Sequence, residues 1–196
     1  MNKIFTALTE CAAEATRVAR EIRPGQLSGP TPCPEFDTRV LINHWVLYSS
    51  YGLECRALRQ VIPDELTGRD FTAAPDWAED FAAQLDRALR AWSDPAAWEG
   101  DIDLGWATTP AADVAGMLLA ELALHGWDVA SATGQQYRVS EESAATIQQI
   151  IDASGKEYRE FGGFAAVVDV ADTEDPWTRA VAASGRDPQW ASAIRS

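Results

Sequence analysis

The chain contains two histidines, and both fall in apolar segments next to groups that bind metals. His125 follows Glu121 by four residues in Met117-Leu118-Leu119-Ala120-Glu121-Leu122-Ala123-Leu124-His125-Gly126-Trp127-Asp128, and His44 lies within Val40-Leu41-Ile42-Asn43-His44-Trp45-Val46-Leu47. Residues four apart share a helix face, so Glu121 and His125 are expected side by side. Two imidazoles and a carboxylate on core-facing stripes are costly to bury unpaired. A divalent cation would neutralise and order them, because neutral imidazole nitrogens and carboxylate oxygens are ordinary ligands of zinc and similar metals. Three protein ligands also leave a coordination position open. Asp128, one turn beyond His125, and Asn43, beside His44, are candidates to hold a ligand imidazole in one tautomer from behind. For either histidine alone a hydrogen-bonded core position is the simpler reading; the set of three favours metal.

The elements that must bring these residues together read as helices. The first runs roughly from Asn2 to Ile22 and stops at Pro24-Gly25. Asp37 is a good N-cap for the second, whose stripe Val40, Leu41, His44, Leu47, Tyr48 and Tyr51 continues to about Ile62 and points His44 inward. Asp76-Trp77-Ala78-Glu79 has the form of a capping box opening a third helix, with Phe81, Leu85, Ala88, Leu89 and Trp92 as its buried face. Thr109-Pro110 reads as N-cap and first turn of a fourth, which spans nearly all of 110–133 before Gly134. Its stripe carries Glu121 and His125. Ser140-Glu141-Glu142 opens a further helix to about Tyr158, Ala165 to Val170 reads as extended, and Asp175-Pro176 begins a short helix ending near Gly185. Trp98 to Trp106 is either a hairpin or an irregular lid. The fold class is therefore all-α in the main.

With 196 residues and 46% hydrophobic content, the chain can bury one well-formed core. Thirty acidic against 16 basic residues give a formal charge of -14, which repels phosphate backbones and anionic lipid and argues against nucleic acid or membrane partners. No signal-peptide core or bilayer-length apolar run is visible, so a cytosolic protein is expected.

Cys11, Cys33 and Cys55 are odd in number and lack a CxxC pair, which fits reduced thiols rather than disulfides or a zinc ribbon. Cys33, in Thr31-Pro32-Cys33-Pro34-Glu35-Phe36-Asp37, precedes a helix start whose dipole would lower a thiol pKa, although a small packed residue in a rigid turn is the favoured reading. Arg186, before Asp187-Pro188, is either a turn cation or a fork for a carboxylate of a substrate or cosubstrate. Tyr48, one turn after His44, is either packing or a proton donor. Trp45, Trp106 and Trp127 belong to the core or wall a pocket.

Taken together, Thr31-Pro32-Cys33-Pro34-Glu35-Phe36-Asp37 with Asn43-His44, and Glu121-Leu122-Ala123-Leu124-His125-Gly126-Trp127-Asp128-Val129-Ala130 closing at Ala132-Thr133-Gly134, resemble the metal-binding domain of mycothiol-dependent maleylpyruvate isomerases in the DinB-like superfamily. Phe161-Gly162 and Ser184-Gly185-Arg186-Asp187-Pro188-Gln189-Trp190 further resemble the short, single-domain branch of that family. The resemblance implies a DinB-like four-helix bundle over 1–160, with an additional helix, and a short irregular C-terminal extension over 161–196 packed on the bundle. It implies a divalent metal on His44, Glu121 and His125, zinc first, with nickel or manganese as alternatives. It also implies mycothiol or another low-molecular-weight thiol as cosubstrate. The isomerase carries a further C-terminal domain that contributes to its active site and for which this sequence is too short, so maleylpyruvate itself is not expected as substrate.

Three functions follow. The first is a metal- and thiol-dependent transferase or isomerase acting on a small electrophile, with no single residue assigned to catalysis. The second is a non-catalytic module that binds metal or a small ligand. The third is a helical interaction protein whose histidines and glutamate only hydrogen-bond one another. The expected partners are the small thiol and the electrophile, with self-association into a homodimer left open.

Overall fold

The computed structural model describes residues 2–190. The first helix, α1 (Lys3–Arg20), is capped by Asn2, whose side chain accepts from Ile4 N and Phe5 N. Helix α2 (Thr38–Val46) starts on Asp37, whose carboxylate accepts from Val40 N, and passes through a π-helical turn (Leu47–Gly52) into α3 (Leu53–Ala57). A short α4 (Asp64–Thr67) precedes α5 (Trp77–Trp92). The strands β1 (Asp101–Asp103) and β2 (Thr108–Pro110) then lead into α6 (Ala111–Ala132), followed by α7 (Glu141–Glu160) and α8 (Pro176–Ala183).

Helix α1 packs on α5 and α6, α5 packs on the α2–α3 rod, and that rod returns to α6, which closes a four-helix bundle. Helix α7 lies on α1 and α6, and α8 lies on α7. The core between them includes Leu8, Leu41, Ile42, Trp45, Leu53, Phe81, Leu85, Trp92, Leu119 and Leu122, each at most 1% exposed. Two buried indoles fix helix spacing: Trp45 Nε1 donates to Leu122 O at 3.0 Å, and Trp92 Nε1 donates to Leu53 O at 2.8 Å. Buried Trp needs such a partner for its N–H, so these bonds tie α2 to α6 and α5 to α3 at defined positions. No helix among the described residues is long and apolar enough to cross a membrane.

Several boundaries differ from the sequence expectation. The second helix ends at Ala57 rather than near Ile62, because Arg59 takes a left-handed φ of 56° and Gln60 N bonds back to Cys55 O at 2.8 Å. Arg59 is held there by its own guanidinium, which donates to Glu99 O at 2.8 Å. The buried face of α2 comprises Leu41, Ile42, Trp45 and Val46, while Val40 and Tyr48 are 47% and 40% exposed. His44 therefore sits at the edge of the buried face. The capping box at Asp76 does not form, since Asp76 (φ −105°, ψ 17°) lacks the extended backbone an N-cap uses. Thr109 pairs with Ile102 in a β1–β2 hairpin rather than capping α6, and Pro110 is the last residue before the helix. The stretch from Trp98 to Trp106 thus forms part of a hairpin. Residues 165–170 form no strand; Val168 N is tied to Ala182 O at 3.0 Å.

Ser140 caps α7 through Ser143 N, and Asp175 caps α8 through Trp177 N and Thr178 N, as their sequence contexts indicate. The α6 helix stops at Gly134 (φ 73°), with Gln135 N bonded to Ala130 O at 2.8 Å.

Candidate metal centre

His44 from α2 meets Glu121 and His125 from α6 where the two helices pack. His44 Nε2 lies 2.9 Å from Glu121 Oε1, and His125 Nε2 lies 3.6 Å from the same oxygen. One ligand atom from each residue falls within 4.8 Å of the others. Tetrahedral zinc with bonds of about 2.1 Å would hold its donors about 3.4 Å apart, so small side-chain adjustments suffice to fit an ion. The donor set suits zinc, nickel or manganese alike. The imidazole rings of His44 and His125 stand edge to face, with centroids 4.9 Å apart.

Behind His125, its Nδ1–H donates to Asp128 Oδ2 at 2.9 Å, which leaves Nε2 turned toward Glu121. Asp128 is fully buried, and Arg186 donates to both its oxygens at 2.8 Å. Burial alone would raise the Asp128 pKa; the Arg186 charge and the His125 and Arg186 hydrogen bonds outweigh it and hold the carboxyl below its usual range. Glu121 follows the same pattern: burial raises it, while His125 and the His44 hydrogen bond prevail and lower it. Arg186 is itself shifted upward, Asp128 outweighing the burial that opposes its charge. Glu121 is therefore held as a carboxylate, the form in which it can ligate a metal.

A turn delivers Arg186 to this position. Gly185 has φ 84°, and a Cβ there would lie 2.7 Å from the backbone of Ala165. Only glycine permits both this conformation and this close approach. Gly126, beside His125, packs under Tyr137, where a Cβ would come within 2.4 Å of the ring.

The model of the mycothiol maleylpyruvate isomerase N-terminal domain matches residues 8–130. The chain belongs to this family. The matched stretch contains His44, Glu121, His125 and Asp128; Tyr158 and Arg186 lie beyond it. No curated protein and no solved structure matches the chain.

In this family member the three residues open onto a cavity of about 250 Å³ lined also by Phe36, Met117, Leu124, Tyr158 and Phe164. Cys33 and exposed Glu35 contribute to its wall as well. Burial and the nearby Asp128 charge push the Cys33 thiol upward, against the lowering by a helix dipole considered from sequence; Cys33 stands five residues before α2 begins. Asn43 does not reach an imidazole. Its amide donates to Asp70 Oδ1 at 3.0 Å and its carbonyl accepts from Phe71 N at 2.8 Å, because adjacent helical positions diverge by about 100°. Tyr48 lies against His44, with ring centroids 4.6 Å apart, on the half-exposed outer side and away from the cavity lining. Arg186, offered from sequence to a substrate carboxylate, has its fork engaged by Asp128. Tyr158 was not singled out by any spacing: its place in the wall depends on how α7 packs on α6.

Proposed function

We propose that this protein binds a divalent metal, zinc first, through His44, Glu121 and His125, and uses it with mycothiol or a related low-molecular-weight thiol to transform a small electrophile as a transferase or isomerase. The observation that carries this reading is the convergence of three ligand atoms within 4.8 Å beside an open cavity. Membership of a mycothiol-related family supports the choice of thiol.

When bound, a metal at this site supplies the charge that deprotonates a thiol near neutral pH. The chain's residues do the rest. His44 and Glu121 fix the position of the donor set, Asp128 keeps the proton of His125 on Nδ1, and Arg186 holds Asp128 in place. Phe36, Met117 and Leu124 present an apolar surface to the electrophile. The reading places the protein in the cytosol, where such thiols are kept reduced.

The test begins with elemental analysis of protein purified without added metal, followed by cobalt substitution and titration with mycothiol, glutathione and bacillithiol. A sulfur-to-cobalt charge-transfer band with one of these thiols, absent in His125→Ala, is the expected result. Stoichiometric metal with no thiol response would instead favour the non-catalytic binding module. A protein that takes up no metal would leave only the hydrogen-bonded cluster.

A further inference from the structure

The cavity beside His44, Glu121 and His125 is also lined by a polar side chain from α7. Tyr158 lines it, with its ring stacked on Phe164 (centroids 4.8 Å apart, planes at 23°), and its hydroxyl makes no hydrogen bond to protein among the described residues. Burial and the charges of Glu121 and Glu157 push this phenol up to about 12, so at neutral pH it keeps its proton and remains a donor.

The charge around Tyr158 restricts what it can meet. Arg186 is the one Lys or Arg lining the cavity among the described residues, and its charge is matched by the buried Asp128 carboxylate. The remaining acidic lining groups are Glu121 and Glu35, the latter exposed. The two charges of a divalent ion at the site would be matched by Glu121 and a ligated thiolate, so an anionic substrate would meet Glu35 with no unmatched cation to receive it, inside a chain of net charge -14. The walls from Phe36, Met117, Leu124 and Phe164 are apolar. A volume of about 250 Å³ lies at the small end of ligand pockets, which run about 300–1,000 Å³, and suits a single ring with a short substituent.

We propose that this cavity selects an uncharged carbonyl compound with an apolar body of ring size, whose carbonyl oxygen accepts a hydrogen bond from the Tyr158 hydroxyl. The proposal rests on the reading of the cavity as the substrate pocket, and it names the substrate class and a residue that contacts it. A neutral carbonyl suits a lone phenol donor, where a carboxylate would require a cation.

Acetophenone and its charged counterpart 4-acetylbenzoate form a matched pair of probes that do not react with thiols. Their binding to the full-length protein is measured by calorimetry as purified and again after chelation, which separates the chain's own selectivity from ligation to an ion. In the chelated protein acetophenone is expected to bind at least about tenfold more tightly, and its infrared carbonyl stretch should move to lower frequency on binding. Tyr158→Phe should abolish that shift and weaken binding about 3- to 10-fold, the range of one net hydrogen bond. Met117→Trp, which fills the cavity from α6, should eliminate binding with the helical circular dichroism unchanged. Equal or tighter binding of 4-acetylbenzoate to the chelated protein would overturn the proposal. So would a carbonyl stretch that still moves to the same lower frequency on binding to Tyr158→Phe, or normal binding in a folded Met117→Trp variant. Because neither metal nor thiol enters the measurement on the chelated protein, failure of the cobalt titration would leave its result standing.

Discussion

Arg186 meets Asp128 through two parallel hydrogen bonds of 2.8 Å, joining residues 58 apart in sequence. The same carboxylate accepts from His125 Nδ1, so a residue beyond α8 fixes the orientation of an imidazole of the candidate metal site without touching the site's donor atoms. Orienting groups of this kind typically change metal affinity 10–100-fold when removed.

Arg186→Leu is therefore expected to lose about 3–5 kcal/mol of stability, because it leaves the buried Asp128 carboxylate without its cation. Urea unfolding checks the loss, and the double variant Arg186→Leu with Asp128→Leu should recover part of it. Both variants should bind cobalt about 10–100-fold more weakly than the parent, as read by competition with a chromophoric chelator. Unchanged cobalt affinity in the double variant would show that His125 needs no support from behind.

Gly185→Ala should imitate the loss of Arg186 without altering any charge. The added methyl collides with the Ala165 backbone at 2.7 Å in a left-handed conformation that alanine resists. The expected signature is lower cobalt affinity together with faster proteolysis after residue 160, while the α1–α6 bundle stays folded by hydrogen exchange.

Gly126→Ala tests packing next to His125. Its methyl would press on the Tyr137 ring, which is buried, stacked on Trp177 and hydrogen-bonded to Cys11 O at 3.2 Å. Overpacking of this kind costs about 1–3 kcal/mol, equivalent to about 2–12 °C in Tm for a chain of this size. A calorimetric Tm equal to the parent's would mean that the ring moves freely, contrary to its contacts.

Glu10, which accepts hydrogen bonds from Ser140 and Ser143 and so ties α1 to the start of α7, should contribute to acid sensitivity beside Asp128 and Glu121. Burial opposes its charge, but the Ser143 and Ser140 hydrogen bonds prevail and lower its pKa from 4.5. A carboxylate with a lower pKa folded than unfolded stabilises the fold above the unfolded value, and that stability disappears as pH falls through the folded value. The contribution is thus complete at neutral pH and is lost below about pH 4.5. Glu10→Gln should cost about 1–2 kcal/mol at pH 7 and less at pH 3, so the two stability curves converge on acidification. Parallel curves would contradict the assignment.

The convergence of His44, Glu121 and His125 is legible in the sequence to the extent that it is local. Glu121 and His125 lie one helical turn apart, and that spacing alone places them together; the apolar run around His44 marked a helix able to pack against them. What sequence could not express was rotation. Asn43 adjoins His44 in the chain yet points toward Asp70, and the outer part of the supposed α2 stripe, Val40 and Tyr48, faces outward because Trp45 takes the core position. The end of the α2–α3 rod was hidden because Arg59 turns left-handed where a glycine would have signalled the stop. Tyr158 and Phe164 carry no periodic signal: they lie either side of the Gly162-Gly163 turn, and their place in the same cavity wall as Glu121 is set by tertiary packing alone.

The indole of Trp45 has a final consequence. Its bond to Leu122 O joins the immediate neighbours of His44 and Glu121, so the two jaws of the site are clamped by the core at a fixed gape. A cation entering between them cannot spread them without breaking a buried hydrogen bond. Such a vice is expected to favour ions with bonds near 2.0–2.2 Å over calcium, which needs six to eight oxygens at about 2.3–2.6 Å where this site offers two imidazoles and one carboxylate.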